Sequence, residues 1–148
     1  MSKETDYGII LMAYFAGKRG ETLSSRDVAR DVGLPLPMVS KILKVLARGS
    51  LLVSQRGAKG GYSLARSGEQ ISVAQIITTM EGPVAMTECI ENPGGCRHEP
   101  ICKLRTTWER INGFVLDSLA GITLSDLAGP ARKLPLQPIT AAQLVHLR

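Results

Sequence analysis

Three cysteines, Cys89, Cys96 and Cys102, fall within one short stretch of a 148-residue chain that has no others. Thiolates grouped this way serve iron–sulfur ligation, zinc ligation or thiol–disulfide exchange. An odd number leaves one thiol over after any internal disulfide, and in a reducing compartment such a group is more often metal-binding or redox-active than structural. Zinc knuckles pair their thiolates as Cys-x2-Cys, because a tight turn sets two sulfurs at tetrahedral angles. Here the spacing is Cys89-x6-Cys96-x5-Cys102. The longer intervals suit a wider object, an iron–sulfur cluster (2Fe–2S or 4Fe–4S) that takes three thiolates from this loop and one further ligand. A weaker fourth donor makes a cluster easy to lose, which is useful in a sensor. His98, two residues after Cys96, competes for that place, whereas His146 lies far off in the tail. Redox thiols without a cluster, and a zinc site, stay open beside this reading. Cys102 and His98 make a poor nucleophile pair, separated by Pro100 and without a third orienting group. No paired-carboxylate motif accompanies them, so no enzyme is expected.

The cysteines lie in or beside a stretch without periodicity, residues 84–100, which contains Pro93, Gly94, Gly95 and Pro100. Such a loop is too polar and broken to order itself by packing. The longest helix follows, from Ile101 to about Ala120. Ile101, Leu104, Trp108, Ile111 and Val115 recur at alternating spacings of three and four, the seam of a coiled coil, and predict a homodimer. Phe114, Leu116 and Leu119 offer a second apolar face for the chain's own domain. A short turn over Thr123 to Ala128 and a weakly ordered, proline-containing tail complete the chain.

The elements upstream must give that sensor something to control. Thr5 to Gly17 reads as a helix whose apolar positions are Ile9, Ile10, Met12, Ala13 and Ala16. Ser24 and Ser25 before Asp27 mark the start of a second helix, Arg26 to Val32, and Gly33-Leu34-Pro35 is a tight turn. A third helix runs from Pro37 to near Gly49, with Val39, Ile42, Leu43 and Leu46 on one face and Pro37, Ser40, Lys41, Lys44 and Arg48 on the other. Two short helices joined by such a turn make a helix-turn-helix. Residues 51–54 and 62–64 read as two strands around the glycine-rich basic tip Arg56-Gly57-Ala58-Lys59-Gly60-Gly61, which is a wing. A phosphate-cradling nucleotide loop would need a Gly-Lys-Ser/Thr or Gly-x-Gly-x-x-Gly pattern and a helix at its end, and neither is present. Val73 to Glu81 is a further helix, ended by Gly82-Pro83. The expected fold is mainly α. Residues 1–83 form a winged helix-turn-helix domain with a two-stranded wing, residues 84–100 a cysteine loop, residues 101–128 a long C-terminal dimerisation helix, and residues 129–148 a tail.

Charge agrees with that division. The first 72 residues hold eleven Lys and Arg against six Asp and Glu, which accounts for the whole net charge of +5. Between Val32 and Gly68 no acid interrupts Lys41, Lys44, Arg48, Arg56, Lys59 and Arg66. A one-sided basic block suits a polyanion, here double-stranded promoter DNA. Ser40 and Lys41, with Pro37 at the start of the third helix, are expected near base edges in the major groove. Arg26 and Lys44 are expected on phosphates, and Arg56 and Lys59 of the wing on phosphates or a narrow minor groove. No apolar run reaches the roughly 18 residues needed to span a bilayer. The acidic start Met1-Ser2-Lys3-Glu4-Thr5-Asp6 is unlike a secretory signal, so a cytoplasmic protein without a membrane partner is expected.

In this order the elements resemble winged-helix regulators of the IscR and NsrR type, most nearly the branch that controls the SUF cluster-assembly system. The resemblance runs to about residue 128. It rests on Thr5-Asp6-Tyr7-Gly8, on Leu52-Val53 through Arg56-Gly57 to Gly60-Gly61-Tyr62, and on Gly94-Gly95-Cys96 with Cys102 and Trp108. It implies a homodimeric repressor that reads DNA through helix-turn-helix and wing. It also implies a cluster on the cysteine loop answering to iron–sulfur status, redox or nitric oxide, and control of cluster-assembly genes. Two departures stand out. Arg105 occupies the place, three residues after the third cysteine, where IscR-like members carry a histidine, and a guanidinium does not ligate iron. The first cysteine interval is also one residue longer than the usual five. Ser40 stands where IscR has a base-reading acid. From the NsrR side the resemblance implies Asp6 as a ligand contributed by the partner subunit. A helix-capping role for Asp6 is the alternative, with Glu4 and His98 as lesser candidates.

Overall fold

Ser2 starts the first helix, its hydroxyl accepting a hydrogen bond from the Thr5 N–H and satisfying one of the donors a helix start leaves over. The computed structural model describes residues 2–130. It consists of α1 (Lys3–Gly17), α2 (Ser25–Val32), α3 (Leu36–Arg48), β1 (Leu52–Gln55), β2 (Gly61–Leu64), α4 (Val73–Glu81), α5 (Glu88–Glu91), α6 (Arg105–Ala120) and α7 (Leu124–Ala128), with 3-10 turns at Gly68–Gln70 and Glu99–Ile101. The tail expected to be weakly ordered, beyond residue 130, lies outside the described residues, as does His146. The mainly helical winged helix-turn-helix expected from the sequence is what folds.

The core gathers the inner faces of these helices: Leu11, Met12 and Phe15 from α1, Val28 and Ala29 from α2, and Val39, Ile42, Leu43 and Leu46 from α3. Leu51, Leu52, Ile71, Ile76 and Leu124 close it. The α3 stripe is the one expected. On α1 Leu11, Met12 and Phe15 set the inner face, so of the apolar positions read from the sequence Met12 is fully buried while Ile10 is 47% exposed. Gly33 ends α2 in the left-handed conformation, its N–H bonded to the Ala29 carbonyl. Tyr14 ties α1 to α2 by donating its hydroxyl to Asp31 at 2.7 Å. That bond pushes the Tyr14 hydroxyl up to about 12, and the same bond, with Arg30, holds Asp31 below the usual carboxylate range. The tie is therefore lost as acid protonates Asp31, and again as pH rises toward the tyrosine's own ionisation.

β1 and β2 pair antiparallel, Leu52 opposite Leu64 and Gln55 opposite Gly61. The hairpin is fastened to the connection between α1 and α2 by two backbone bonds, the Leu23 N–H to the Tyr62 carbonyl at 2.9 Å and the reverse at 2.8 Å. A side chain at Gly61 would collide with the Leu23 carbonyl, so the residue must be glycine for this contact.

Two expectations for the C-terminal part are corrected. Residues 124–128 form a helix rather than a turn, capped by Thr123 and Asp126 and anchored by fully buried Leu124. A buried leucine contributes about 1.5–3 kcal/mol, so α7 is part of the core and no loose connector. The long helix begins at Arg105, not Ile101. Pro100 sits in a 3-10 turn and Cys102 has extended backbone, with ψ 110°, which a continuous helix does not admit. Ile101 and Leu104 thus precede the helix and are 79% and 60% exposed. Phe114, expected against its own domain, is 49% exposed.

Candidate functional site

The first candidate surface is the outer side of α3 with the wing. Burial of Val39, Ile42, Leu43 and Leu46 turns Pro37, Lys41, Lys44 and Arg48 to solvent, with Ser40 partly exposed. The first turn of α3 contains no acid and has no side-chain cap, so its positive end is free for an anionic partner. Arg56 and Lys59 are exposed on the loop between β1 and β2, and Arg26 is exposed in the first turn of α2. Helix-turn-helix, wing and basic side chains are therefore carried by one packed core.

The second candidate site is the cysteine loop. Cys89 is buried on α5, with its thiol 3.3 Å from the Thr87 hydroxyl. Cys96 and Cys102 are partly buried, and all three thiols are free. The loop is tied at its start to α6 by Asn112, a buried polar residue that the apolar spacing of α6 had hidden. Its Oδ1 accepts from the Met86 N–H at 3.0 Å and its Nδ2 donates to the Val84 carbonyl at 3.1 Å. Further on, Glu99 closes the loop. Its carboxylate accepts the Gly94 N–H at 2.6 Å and pairs with Arg105, which also reaches Glu109 at 2.9 Å. The Glu109 hydrogen bond, then Glu99, then the nearby Cys89 raise the Arg105 pKa. Arg105, in the position the resemblance gives to a histidine, is thus the pin of an ion-pair chain. Glu99 and Arg105 as partners could be found only from the fold, since their six-residue spacing crosses a turn and a helix start.

The donor set suits an iron–sulfur cluster: three free thiols carried by one ordered segment beside a fixed cation. They do not converge in this arrangement; among the described residues no three His, Cys, Asp or Glu side chains form a metal-holding group. Asp6 is exposed in the first turn of α1, where Ser2 supplies the side-chain cap and Glu4 and Asp6 are the acids at the positive end of the helix. His98 is exposed at the start of the second 3-10 turn. Glu4, the other carboxylate of the α1 start, pairs with Lys41 at 2.6 Å. No helix among the described residues is long and apolar enough to cross a membrane.

Comparison with known proteins places the chain in a family. The family model Rrf2, described as an iron-dependent transcriptional regulator, matches residues 1–130. Protein rrf2 of Nitratidesulfovibrio vulgaris is 30% identical over 115 residues, 78% of this chain and 77% of that one. The HTH-type transcriptional regulator CymR of Bacillus subtilis is 31% identical over 129 residues, 86% of this chain and 88% of that one. Among solved structures, CymR, the global cysteine regulator of B. subtilis, superposes with a TM-score of 0.68 at 30% identity, covering 86% of this chain and 95% of that one. IscR of T. potens does so with 0.65 at 27% identity, covering 93% and 92%.

Proposed function

The chain belongs to the Rrf2 family of DNA-binding transcriptional regulators, and from that premise we propose that it senses its signal through an iron–sulfur cluster held by Cys89, Cys96 and Cys102. It is a regulator and not an enzyme, as its relatives' names attest. The observation that carries the sensing proposal is that three free thiols, though not convergent in this arrangement, lie on one short stretch whose start is fastened to α6. Asp6 of the partner subunit is the proposed fourth ligand; a carboxylate is a harder donor than a thiolate and releases iron more readily. When bound, the cluster supplies a redox- and nitric-oxide-sensitive group whose loss is the signal. The chain's own contribution is to hold the thiols on the loop, with Arg105 as a nearby fixed cation, and to join that loop to α6. The genes under control are proposed to be those of cluster assembly, by repression.

Residues 1–83, whose core α7 completes, are assigned to DNA, the segment 84–102 to sensing and α6 to pairing of two subunits. Arg26, Pro37, Ser40, Lys41, Lys44, Arg56 and Lys59 make up the proposed DNA contact set. Anaerobic purification followed by an absorption spectrum and a promoter gel shift, with and without the cluster, tests the whole proposal. Visible bands and a cluster-dependent shift are expected; a colourless zinc protein or a bare dithiol would overturn it. A second reading, thiol–disulfide sensing, needs only two of the three thiols to meet, and is supported by the likeness to CymR of Staphylococcus aureus, which is also solved in an oxidized form. It predicts a disulfide detectable by mass after mild oxidation, with no visible chromophore.

Arg56→Ala is expected to weaken operator binding by about 1–3 kcal/mol if the side chain reads a base or groove. Fluorescence anisotropy with a labelled operator checks this, and unchanged affinity would count against the wing as a DNA contact.

A further inference from the structure

Of the three cations on the outer side of α3, Lys41 is held by the protein itself. Its Nζ lies 2.6 Å from Glu4 Oε1 on α1, whereas Lys44 and Arg48 make no ion pair among the described residues. The pair joins two elements whose backbones are fixed. Thr5, the residue after Glu4, is fully buried and donates its hydroxyl to Glu81 at 2.7 Å, and Ser2 also bonds Glu81. Lys41 is flanked by Val39, Ile42 and Leu43 in the core. The pair is therefore set by the fold and is not a chance meeting of two loose side chains. Both groups remain accessible, 62% and 47% exposed, so a stronger anion can displace the carboxylate.

We propose that Glu4 is an internal counter-ion that competes with DNA for Lys41 and thereby moderates operator affinity and its salt dependence. The inference rests on the reading that α3 meets DNA. When DNA takes Lys41, the Glu4 carboxylate is left unpaired close to the phosphates, so the protein opposes part of its own binding. Each cation free to displace a condensed counter-ion steepens the salt dependence by about 0.9 in the logarithmic slope. A lysine already neutralised by Glu4 contributes less than that.

The experiment is a salt titration of anisotropy binding to a mixed-sequence DNA duplex long enough for two half-sites. It uses the full chain and its E4Q, K41Q and double variants, with thermal melts to establish that each is folded. E4Q is expected to bind about two- to fivefold more tightly at low salt, the range of an exposed ion pair, with a steeper slope. K41Q is expected to bind more weakly, and E4Q is expected to bring no gain in the K41Q background. If K41Q weakens binding but E4Q leaves affinity and slope unchanged, Glu4 is no competitor, while the DNA reading of α3 stands. If the E4Q gain persists without Lys41, the carboxylate acts by general repulsion and the proposal fails. If K41Q binds like the parent, Lys41 does not meet DNA, and the reading of α3 falls together with the inference.

Discussion

Serine in place of Cys96 or Cys102 is expected to give a folded protein that takes up no cluster on anaerobic reconstitution, its visible absorption falling to the baseline of the apoprotein. A serine hydroxyl stays protonated where a thiol ionises, and the deprotonated sulfur is the ligand. Both cysteines lie outside the core, so far-ultraviolet circular dichroism and the melting temperature should barely move. Cys89→Ser is expected to lose the cluster and some stability besides, because its thiol is buried beside the Thr87 hydroxyl. Retention of the full visible spectrum by Cys96→Ser or Cys102→Ser would remove those positions from the ligand set. An Asp6→Ala variant beside a His98→Ala variant then separates the two candidates for the fourth place.

The second large effect concerns assembly. Lysine at both Leu104 and Phe114 is expected to convert a dimer into monomers in sedimentation velocity and to weaken operator binding by about 10²-fold or more. Ile101, Leu104 and Phe114 are large apolar side chains left 79%, 60% and 49% exposed on or beside α6, and exposed apolar patches of this kind are where a second subunit would be expected to pack. A charge in an apolar interface without a partner is costly. A dimer engages two half-sites at once, and linking two binding events gains about 10²–10⁴ in avidity. Neither side chain belongs to the buried core, so the monomer should keep its fold by circular dichroism. A double variant that sediments as a native-size dimer would place the interface elsewhere.

What the sequence revealed, it revealed through short-range periodicity. The α3 stripe of Val39, Ile42, Leu43 and Leu46, the glycine-basic tip between β1 and β2, and the serine cap of α2 are all local patterns, and they emerged where expected. The exposure of Ile10 was not legible because α1 is apolar over most of its surface, and composition does not say which apolar side faces inward. The start of α6 was misread because a regular three-and-four spacing continues through Ile101 and Leu104, while the extended backbone at Cys102 interrupts the helix beneath it. Leu124 looked like part of a turn since five residues carry too little periodicity to announce a core helix. The Glu4–Lys41 and Glu99–Arg105 pairs were invisible for another reason. The first joins residues 37 apart and the second depends on where the chain turns, so both exist only once tertiary structure has brought them together. Asn112, a lone amide among apolar neighbours, was a weak signal of the loop it holds.

The attachment of the wing to the connection between α1 and α2 has a mechanical consequence. With Leu23 and Tyr62 exchanging backbone bonds and Gly61 pressed against the Leu23 carbonyl, the hairpin rests on a brace instead of hanging from its own two strands. Wing tip and recognition helix then behave as the two jaws of a fixed caliper, whose gap is set before any duplex arrives. Such a tool loses little conformational freedom when it closes on its object. It also has few degrees of freedom through which its gap could be retuned, which leaves the placement of one caliper relative to another as the natural adjustable quantity.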